Sequence, residues 1–398
     1  MKKPEHPRTS RQEALRLILA RSHFQPRVER IPVREALRRV TAQETLAVNT
    51  LPNSPVSSMD GIALKSANLN GGIPATDQWQ NGVDFVISNT GVGIPEDFDT
   101  VVLIEDVEID ETGKLRILNI PQPGQNVRPI GGIMQAGEVL VPAYCCLGPL
   151  QLGLLSTGGV DEVAVLAKPR VAILPTGNEL VPVGYRPPRG KNVESNGIMM
   201  EAQIKIMGGE PRLYPITRDN PDELVRVIQD ALAWADIVIL NGGSSKGSDD
   251  RAIEVLETVG EILVYEIAYG PGKHTTLTIA GSKPIVGAVG PTMGAACAVE
   301  WYVGPLIDKY FSQPRIEPRR LKVKLLDDIL GPIPFAWLEV QKTGGSYVAR
   351  PIGRFASMSR LIRSNATLST PGKSKGYKAG EIVEVELRYS PEWNRQLF

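Results

Sequence analysis

Ile237-Val238-Ile239-Leu240-Asn241-Gly242-Gly243-Ser244-Ser245-Lys246-Gly247-Ser248-Asp249-Asp250 decides how this chain is read. An aliphatic, mostly β-branched run with no polar interruption is a strand buried on both faces, the kind found inside parallel sheets. The Gly/Ser turn after it lets the backbone come close to a ligand, and two aspartates stand where the next helix begins. An earlier stretch repeats the plan: Val171-Ala172-Ile173-Leu174 runs into Pro175-Thr176-Gly177-Asn178-Glu179-Leu180. Strands ending in such loops gather backbone N–H groups and hydroxyls at the carboxyl edge of an open α/β sheet, where phosphorylated ligands bind. Carboxylates beside such a loop repel a bare phosphate, so they point to a bridging Mg2+.

Strand and helix alternate from residue 168 onward. Residues 171–174 precede a helix over 195–207 closed by Gly208-Gly209, and 212–216 form a second strand. Pro221 opens a helix with an apolar stripe of Leu224, Val227, Ile228, Ala231 and Leu232. Residues 237–240 are the third strand, Asp249 or Asp250 caps a helix over 253–259, and strand 285–289 leads into a helix from 293 to 311. This alternation predicts a mostly parallel sheet with helices on both faces.

Upstream, Ser10 and Glu13 form a capping box for a helix over 10–20 that places Leu15, Ile18 and Leu19 on one face. Residues 33–39 have the same character, and 148–157 read as a helix with Leu150, Leu154 and Leu155 on one side. Between 48 and 135, β-prone runs at 85–87, 100–104 and 114–117 are broken by Gly, Pro and Asn. After the Pro/Arg stretch 313–320, strands at 321–325, 336–341, 347–351 and 382–387 are expected. The chain therefore reads as a multi-domain α/β plus β protein. The expected parts are a discontinuous helical and mixed N-terminal domain (1–47 with 136–167), a β-rich inserted domain (48–135), an α/β domain (168–313) and a small C-terminal β domain (314–398).

The 398 residues exceed a single compact core. Forty-four basic residues balance 44 acidic ones, so no global field favours nucleic acid. Cys145, Cys146 and Cys297 make no disulfide framework, and their apolar surroundings predict buried thiols. His6, His23 and His274 give neither zinc spacing nor a nucleophilic triad. No apolar run reaches the length of a membrane span, and the charged, Pro-containing start lacks a signal-peptide core. A cytoplasmic protein that contacts neither membrane nor nucleic acid is expected.

Candidate chemistry gathers in the loops. Glu179 caps its turn or meets a cation. Gly242, Gly243, Ser244 and Ser245 form the most specific loop, with a plain strand-to-helix turn as the alternative. Asp249 and Asp250 serve as helix N-caps, as metal ligands, or as both. Lys273, in Gly270-Pro271-Gly272-Lys273-His274-Thr275-Thr276, is placed to neutralise an anion. Gly290 lies in the turn after 285–289, and Ser57-Ser58-Met59-Asp60-Gly61 is a tight turn with one carboxylate.

Taken together, these segments resemble the molybdopterin molybdenumtransferase family, which includes the MoeA enzymes and the gephyrin E-domain. Ser58-Met59-Asp60-Gly61 is similar to the family's Ala-Met-Asp-Gly turn, and Asn89-Thr90-Gly91 through Glu105-Asp106-Val107 follows its Thr-Gly…Glu-Asp-Val segment. Pro169-Arg170-Val171 into Thr176-Gly177-Asn178-Glu179-Leu180 resembles Pro-Arg-Val…Thr-Gly-Asp-Glu-Leu, and Ser195-Asn196 resembles its helix start. The stretch from Gly242-Gly243 to Asp250 and that from Gly353 to Asn365 also match in order.

The resemblance implies an elongated homodimer with a central MogA/MoaB-like α/β domain. It implies insertion of molybdate into adenylylated molybdopterin, with Mg2+ and release of AMP. Asp60 and Thr90 of one chain would act with Glu179, Asp250 and Lys273 of the other. Thr176, Gly177, Ser195, Asn196, Gly242, Gly243, Ser244, Ser245 and Gly290 would hold the pterin substrate, and Glu179, Asp249 and Asp250 the metal. A molybdopterin adenylyltransferase and molybdoenzymes are the partners it suggests. The chain departs from the pattern at Asn178 (family Asp), at His274 (family Pro), at Ser244-Ser245-Lys246 (family Val-Ser-Val), and at Val289-Gly290-Pro291-Thr292 (family Pro-Gly-Asn-Pro). Those departures keep open a paralogue that binds, carries or senses the cofactor, or an assembly scaffold.

Overall fold

The computed structural model describes residues 8–69, 72–111, 114–242, 251–268, 270–314, 318–331, 335–353, 356–369 and 375–388. The chain forms two compact units, one from the residues up to Arg27 with those from Ala167 onward, the other over Val28–Leu166.

The first unit is built on a six-stranded sheet. Its elements are α1 (Arg11–Arg21), β1 (Arg170–Pro175), α2 (Asn196–Ile206), β2 (Glu210–Leu213), α3 (Pro221–Trp234), β3 (Ile237–Asn241), α4 (Arg251–Val259), β4 (Glu261–Val264), β5 (Thr276–Ala280) and β6 (Lys283–Ala288). The strand order is β2-β1-β3-β6-β5-β4. The first four are mutually parallel, while β5 runs antiparallel to both neighbours. β1 and β3 are apolar throughout their central residues because both faces are covered. Ala172, Leu174, Val238 and Leu240 pack with Leu224, Ile228 and Ala231 of α3 and Val255 and Leu256 of α4. By the strand period of two, Val171, Ile173, Ile237 and Ile239 face the opposite side. Helix α2 lies against β1 there and also contacts α5 (Thr292–Ala298), which continues through a π-helical turn (Val299–Val303) into α6 (Gly304–Tyr310).

α1 begins at Ser10, whose hydroxyl accepts from the Glu13 N–H at 3.2 Å. The return half of the expected capping box is missing: the Glu13 carboxylate takes both hydrogen bonds of the Arg16 guanidinium instead. The same unit carries a closed five-stranded barrel of β7 (Arg320–Leu325), β8 (Phe335–Thr343), β9 (Ser346–Ile352), β10 (Ala366–Ser369) and β11 (Ile382–Leu387), in the order β7-β9-β8-β10-β11. Arg388 joins the barrel to the π-helical turn: its Nε donates to Glu300 Oε2 at 3.0 Å, and its guanidinium lies over Trp337 at 5.0 Å.

In the second unit, Gly61–Leu64 runs between Phe85–Ser88 and Thr100–Leu103, antiparallel to both. Ile62, Leu64, Phe85, Val102, Leu115 and Ile117 fill one side of this small sheet. Val28–Pro32 pairs with Glu162–Leu166, and the helix Pro149–Thr157 buries Leu155. The expected apolar side of that helix is corrected here, since Leu150 is 86% exposed. Among the thiols only Cys297 is buried; Cys146 is exposed. No helix among the described residues is long and apolar enough to cross a membrane.

A Cβ built on Gly61 lies 1.9 Å from the Val102 carbonyl oxygen, so this strand has no room for a side chain at that point. Gly61→Ala is expected to destabilise the protein by about 2 kcal/mol, the scale of overpacking a tight site. Urea denaturation measures it, and an unchanged midpoint would contradict the packing.

Candidate functional site

β1 turns to β2 on one side and, after α3, the chain crosses to β3 on the other. The carboxyl ends of β1 and β3 therefore flank the topological switch point of the sheet, the place where open α/β sheets form a crevice. Three segments meet there: Thr176-Gly177-Asn178-Glu179 after β1, Asn241-Gly242 at the end of β3, and Val289-Gly290 after β6.

The turns are fixed by a buried polar network. The Thr176 N–H donates to Asn241 O at 2.9 Å, and the Gly242 N–H to Ala288 O at 3.0 Å. Asn196, at the start of α2 and buried, donates through Nδ2 to Asn241 Oδ1 at 3.0 Å and to Gly290 O at 2.8 Å. The Asn241 side chain donates in turn to Val289 O at 2.9 Å. Asp219 closes the outer side: it accepts from the Thr176 hydroxyl at 2.9 Å and the Asn178 N–H at 3.2 Å. Glu194, also buried, accepts from the Gly197 N–H at 2.8 Å and fixes the first turn of α2.

Sequence reasoning missed Asp219, Asn241 and Glu194. Asn241 was visible as the one polar residue ending a fully apolar strand. Asp219 had no local signature, because its role depends on the β1–β2 pairing.

The expected donors divide into two groups. The Gly177 N–H donates to Thr217 O and the Gly242 N–H to Ala288 O, so both close the sheet edge. Their N–H groups are thus engaged within the protein. Gly242 has φ +119°, and a Cβ there would lie 2.2 Å from Thr176 O. The Gly290 N–H, the Ser195 hydroxyl and the Lys273 ammonium carry no hydrogen bond or ion pair among the described residues. The Glu179 carboxylate sits over Gly177, where a built Cβ would be 2.7 Å from both its oxygens, and it too has no partner among the described residues.

A cleft of about 900 Å³ opens beside this edge, lined by Gly177, Asn178, Lys191, Glu194, Ile198 and Arg218. The Lys191 ammonium ties its rim to the site by donating to Asn178 O at 2.7 Å.

Asp60 and Thr90 meet within the second unit. Asp60 Oδ1 accepts from the Thr90 N–H at 2.7 Å and from its hydroxyl at 2.9 Å. These bonds favour the ionised form and hold the exposed Asp60 carboxyl below the usual aspartate range. Gly243, Ser244, Ser245, Asp249 and Asp250 lie outside the described residues. Among the described residues no three acidic, His or Cys side chains gather as a metal cluster.

Gly242→Ala adds both a left-handed strain and a clash with Thr176 O; a loss of about 3 kcal/mol is expected, read as a lowered thermal midpoint. Thr90→Val keeps the backbone donor and removes the hydroxyl one. The Asp60 titration midpoint should then rise, as carboxyl NMR would show. A depressed carboxyl contributes stability above its unfolded-state range and loses it as pH falls, so this variant should flatten that acid-side loss.

Two family models match the chain in succession: the MoeA N-terminal region (domain I and II) over residues 9–159 and a probable molybdopterin binding domain over residues 172–309. A molybdopterin molybdenumtransferase of Staphylococcus epidermidis is 27% identical over 412 residues, covering 97% of each chain. One from Staphylococcus aureus (strain Mu50) is 26% identical over 413 residues, again covering 97% of each. The solved structure of a molybdopterin biosynthesis MoeA protein from Pyrococcus horikoshii superposes with a TM-score of 0.79 at 25% identity, covering 96% of this chain and 100% of the other. The matched stretches carry both the Asp60–Thr90 pair and the sheet edge around Thr176, Asn196 and Gly290, and the chain belongs to the MoeA family of molybdopterin biosynthesis.

Proposed function

We propose that this protein is a molybdopterin molybdenumtransferase, which inserts molybdate into adenylylated molybdopterin and releases AMP. The observation that carries the reading is the switch-point edge, where Glu179, Ser195, Gly290 and Lys273 have no partners among the described residues beside a hydrogen-bonded network. Full-length similarity to named transferases supports it.

In this reading Gly290 N–H, the Ser195 hydroxyl and the loop of Gly243, Ser244 and Ser245 hold the phosphate end of the pterin substrate, with Gly242 allowing close approach. Asn196 and Thr176 act indirectly, holding the turns in place. Gly177 allows the ligand to come close. Lys273 balances oxyanion charge. The protein acts as a homodimer, with Asp60 and Thr90 of one copy serving the site of the other, and the four-part division of the chain belongs to the same proposal.

The Glu179 carboxylate, without a partner among the described residues, fits a cation, and with Asp249 and Asp250 it would hold Mg2+. When bound, that ion supplies charge neutralisation at the phosphates. The inserted molybdenum takes its sulfur ligands from the dithiolene of the substrate, so the protein requires no cysteine cluster for that step.

The test is AMP release from adenylylated molybdopterin by the purified protein with Mg2+, with and without molybdate. Molybdate-dependent release is expected. Tight pterin binding without release would favour the binder or carrier instead. Lys273→Ala is expected to lower kcat/KM by about a hundredfold, the scale of losing one preorganised charge-stabilising group, with the melting point unchanged. Turnover within twofold of wild type would remove Lys273 from the site.

A further inference from the structure

Residues 270–275 connect Glu266–Ile267 to β5 and stand at the edge where β6 ends, since Thr276 pairs with Gly287. The turn is held from several sides. The Ile267 N–H donates to Lys273 O at 2.8 Å, and the Thr275 N–H to Gly272 O at 2.8 Å. Gly272, with φ +79°, lies against α5, where a Cβ would come within 3.3 Å of Gly294 O.

The next residue adds a side-chain tie. His274 Nδ1 is 3.1 Å from Glu266 Oε1, while the other oxygen of Glu266 is 3.5 Å from Arg8 Nε. The Glu266 side chain is only 12% exposed, so this carboxylate is shielded from water between two basic groups. An ionised carboxylate only accepts, which places the imidazole proton on Nδ1. Glu266 and Ile267 are adjacent in one short strand paired to Arg8–Thr9. The His274–Glu266 and Lys273–Ile267 bonds are therefore neighbouring ties from the turn onto the same strand.

We infer that His274 is a positioning residue: its ring bond to Glu266 fixes the turn that presents the Lys273 ammonium to an anionic substrate. The inference rests on the reading of Lys273 given above. His274 itself contacts no reacting atom. Removing its ring donor leaves the Lys273 carbonyl as the remaining of these two ties to the Glu266–Ile267 strand, on a turn whose ammonium has no anchor among the described residues.

Two variants of the full-length protein separate positioning from folding. His274→Leu keeps apolar bulk and removes the donor; His274→Gln restores an N–H toward Glu266. Three readouts are compared: exchange of the Ile267 amide, acetylation of Lys273 by limiting acetic anhydride, and the KM and kcat of AMP release. In His274→Leu the Ile267 amide should exchange about tenfold faster and Lys273 labelling should change severalfold. KM for the adenylylated pterin should rise about fivefold with kcat within twofold, the scale of one partly exposed charged hydrogen bond. His274→Gln should return all three toward wild type.

Wild-type exchange, labelling and KM in His274→Leu would overturn the inference, as would a His274→Gln variant that behaves like His274→Leu. Absence of AMP release in the wild type would defeat the transferase reading, whereas the exchange and labelling results would still decide the role of His274.

Discussion

The architecture of the site depends on one close approach: the backbone of Gly242 lies against the carbonyl of Thr176, at the point where β1 and β3 end together. Only a residue without Cβ, in a left-handed conformation, fits there. That contact brings the turns after both strands to the same level, and Asn196 and Asn241 then bind them to the turn after β6. A buried amide network of this kind is favourable only when its members are satisfied, and here each carboxamide nitrogen finds a carbonyl. The result is a hydrogen-bonded floor, beside which the Gly290 N–H and the Ser195 hydroxyl carry no bond among the described residues.

The charges follow a division of labour. Asp219 and Glu194 are used inward, on backbone N–H groups and a hydroxyl. Glu179 and Lys273 are left without partners among the described residues, one acidic and one basic, along the same sheet edge. Asn178 stands where the related pattern has aspartate, yet its backbone and side chain both engage Asp219, so the turn keeps its shape with one charge fewer. Elsewhere in the unit, Glu300 and Arg388 pair where both are largely shielded, and removing either member would leave the other charge buried without it.

Much of this was legible in the sequence, for definite reasons. β1 and β3 were recognisable because strands covered on both faces tolerate no polar residue, and α3 because Leu224, Ile228 and Ala231 repeat at helical spacing. β5 and β4 were not found: β5 alternates threonine with aliphatic residues over only Thr276–Ile279, and β4 is four residues long. β10 escaped for similar reasons of length. The Pro149–Thr157 helix shows the limit of periodicity, which finds an apolar set but not which member the fold buries; Leu155 went in and Leu150 did not. At the sheet edge, Thr176 and Gly177 were named from their turn and Asn196 from the resemblance, and all three take part in the hydrogen-bond network there. Asp219 and Glu194 were not, because each takes its meaning from a partner brought near by folding. The glycine N–H groups expected to hold phosphate were misjudged in the same way, since sequence cannot reveal that Thr217 and Ala288 already occupy them.

The central claim is that the carboxyl edge of β1, β3 and β6 receives the pterin substrate. Hydrogen exchange of the full-length protein with and without adenylylated molybdopterin tests it most directly. The account predicts new protection concentrated in residues 176–179, 195–197, 241–242, 272–275 and 289–292. Protection confined to the barrel strands β7–β11, or none at saturating ligand, would contradict it.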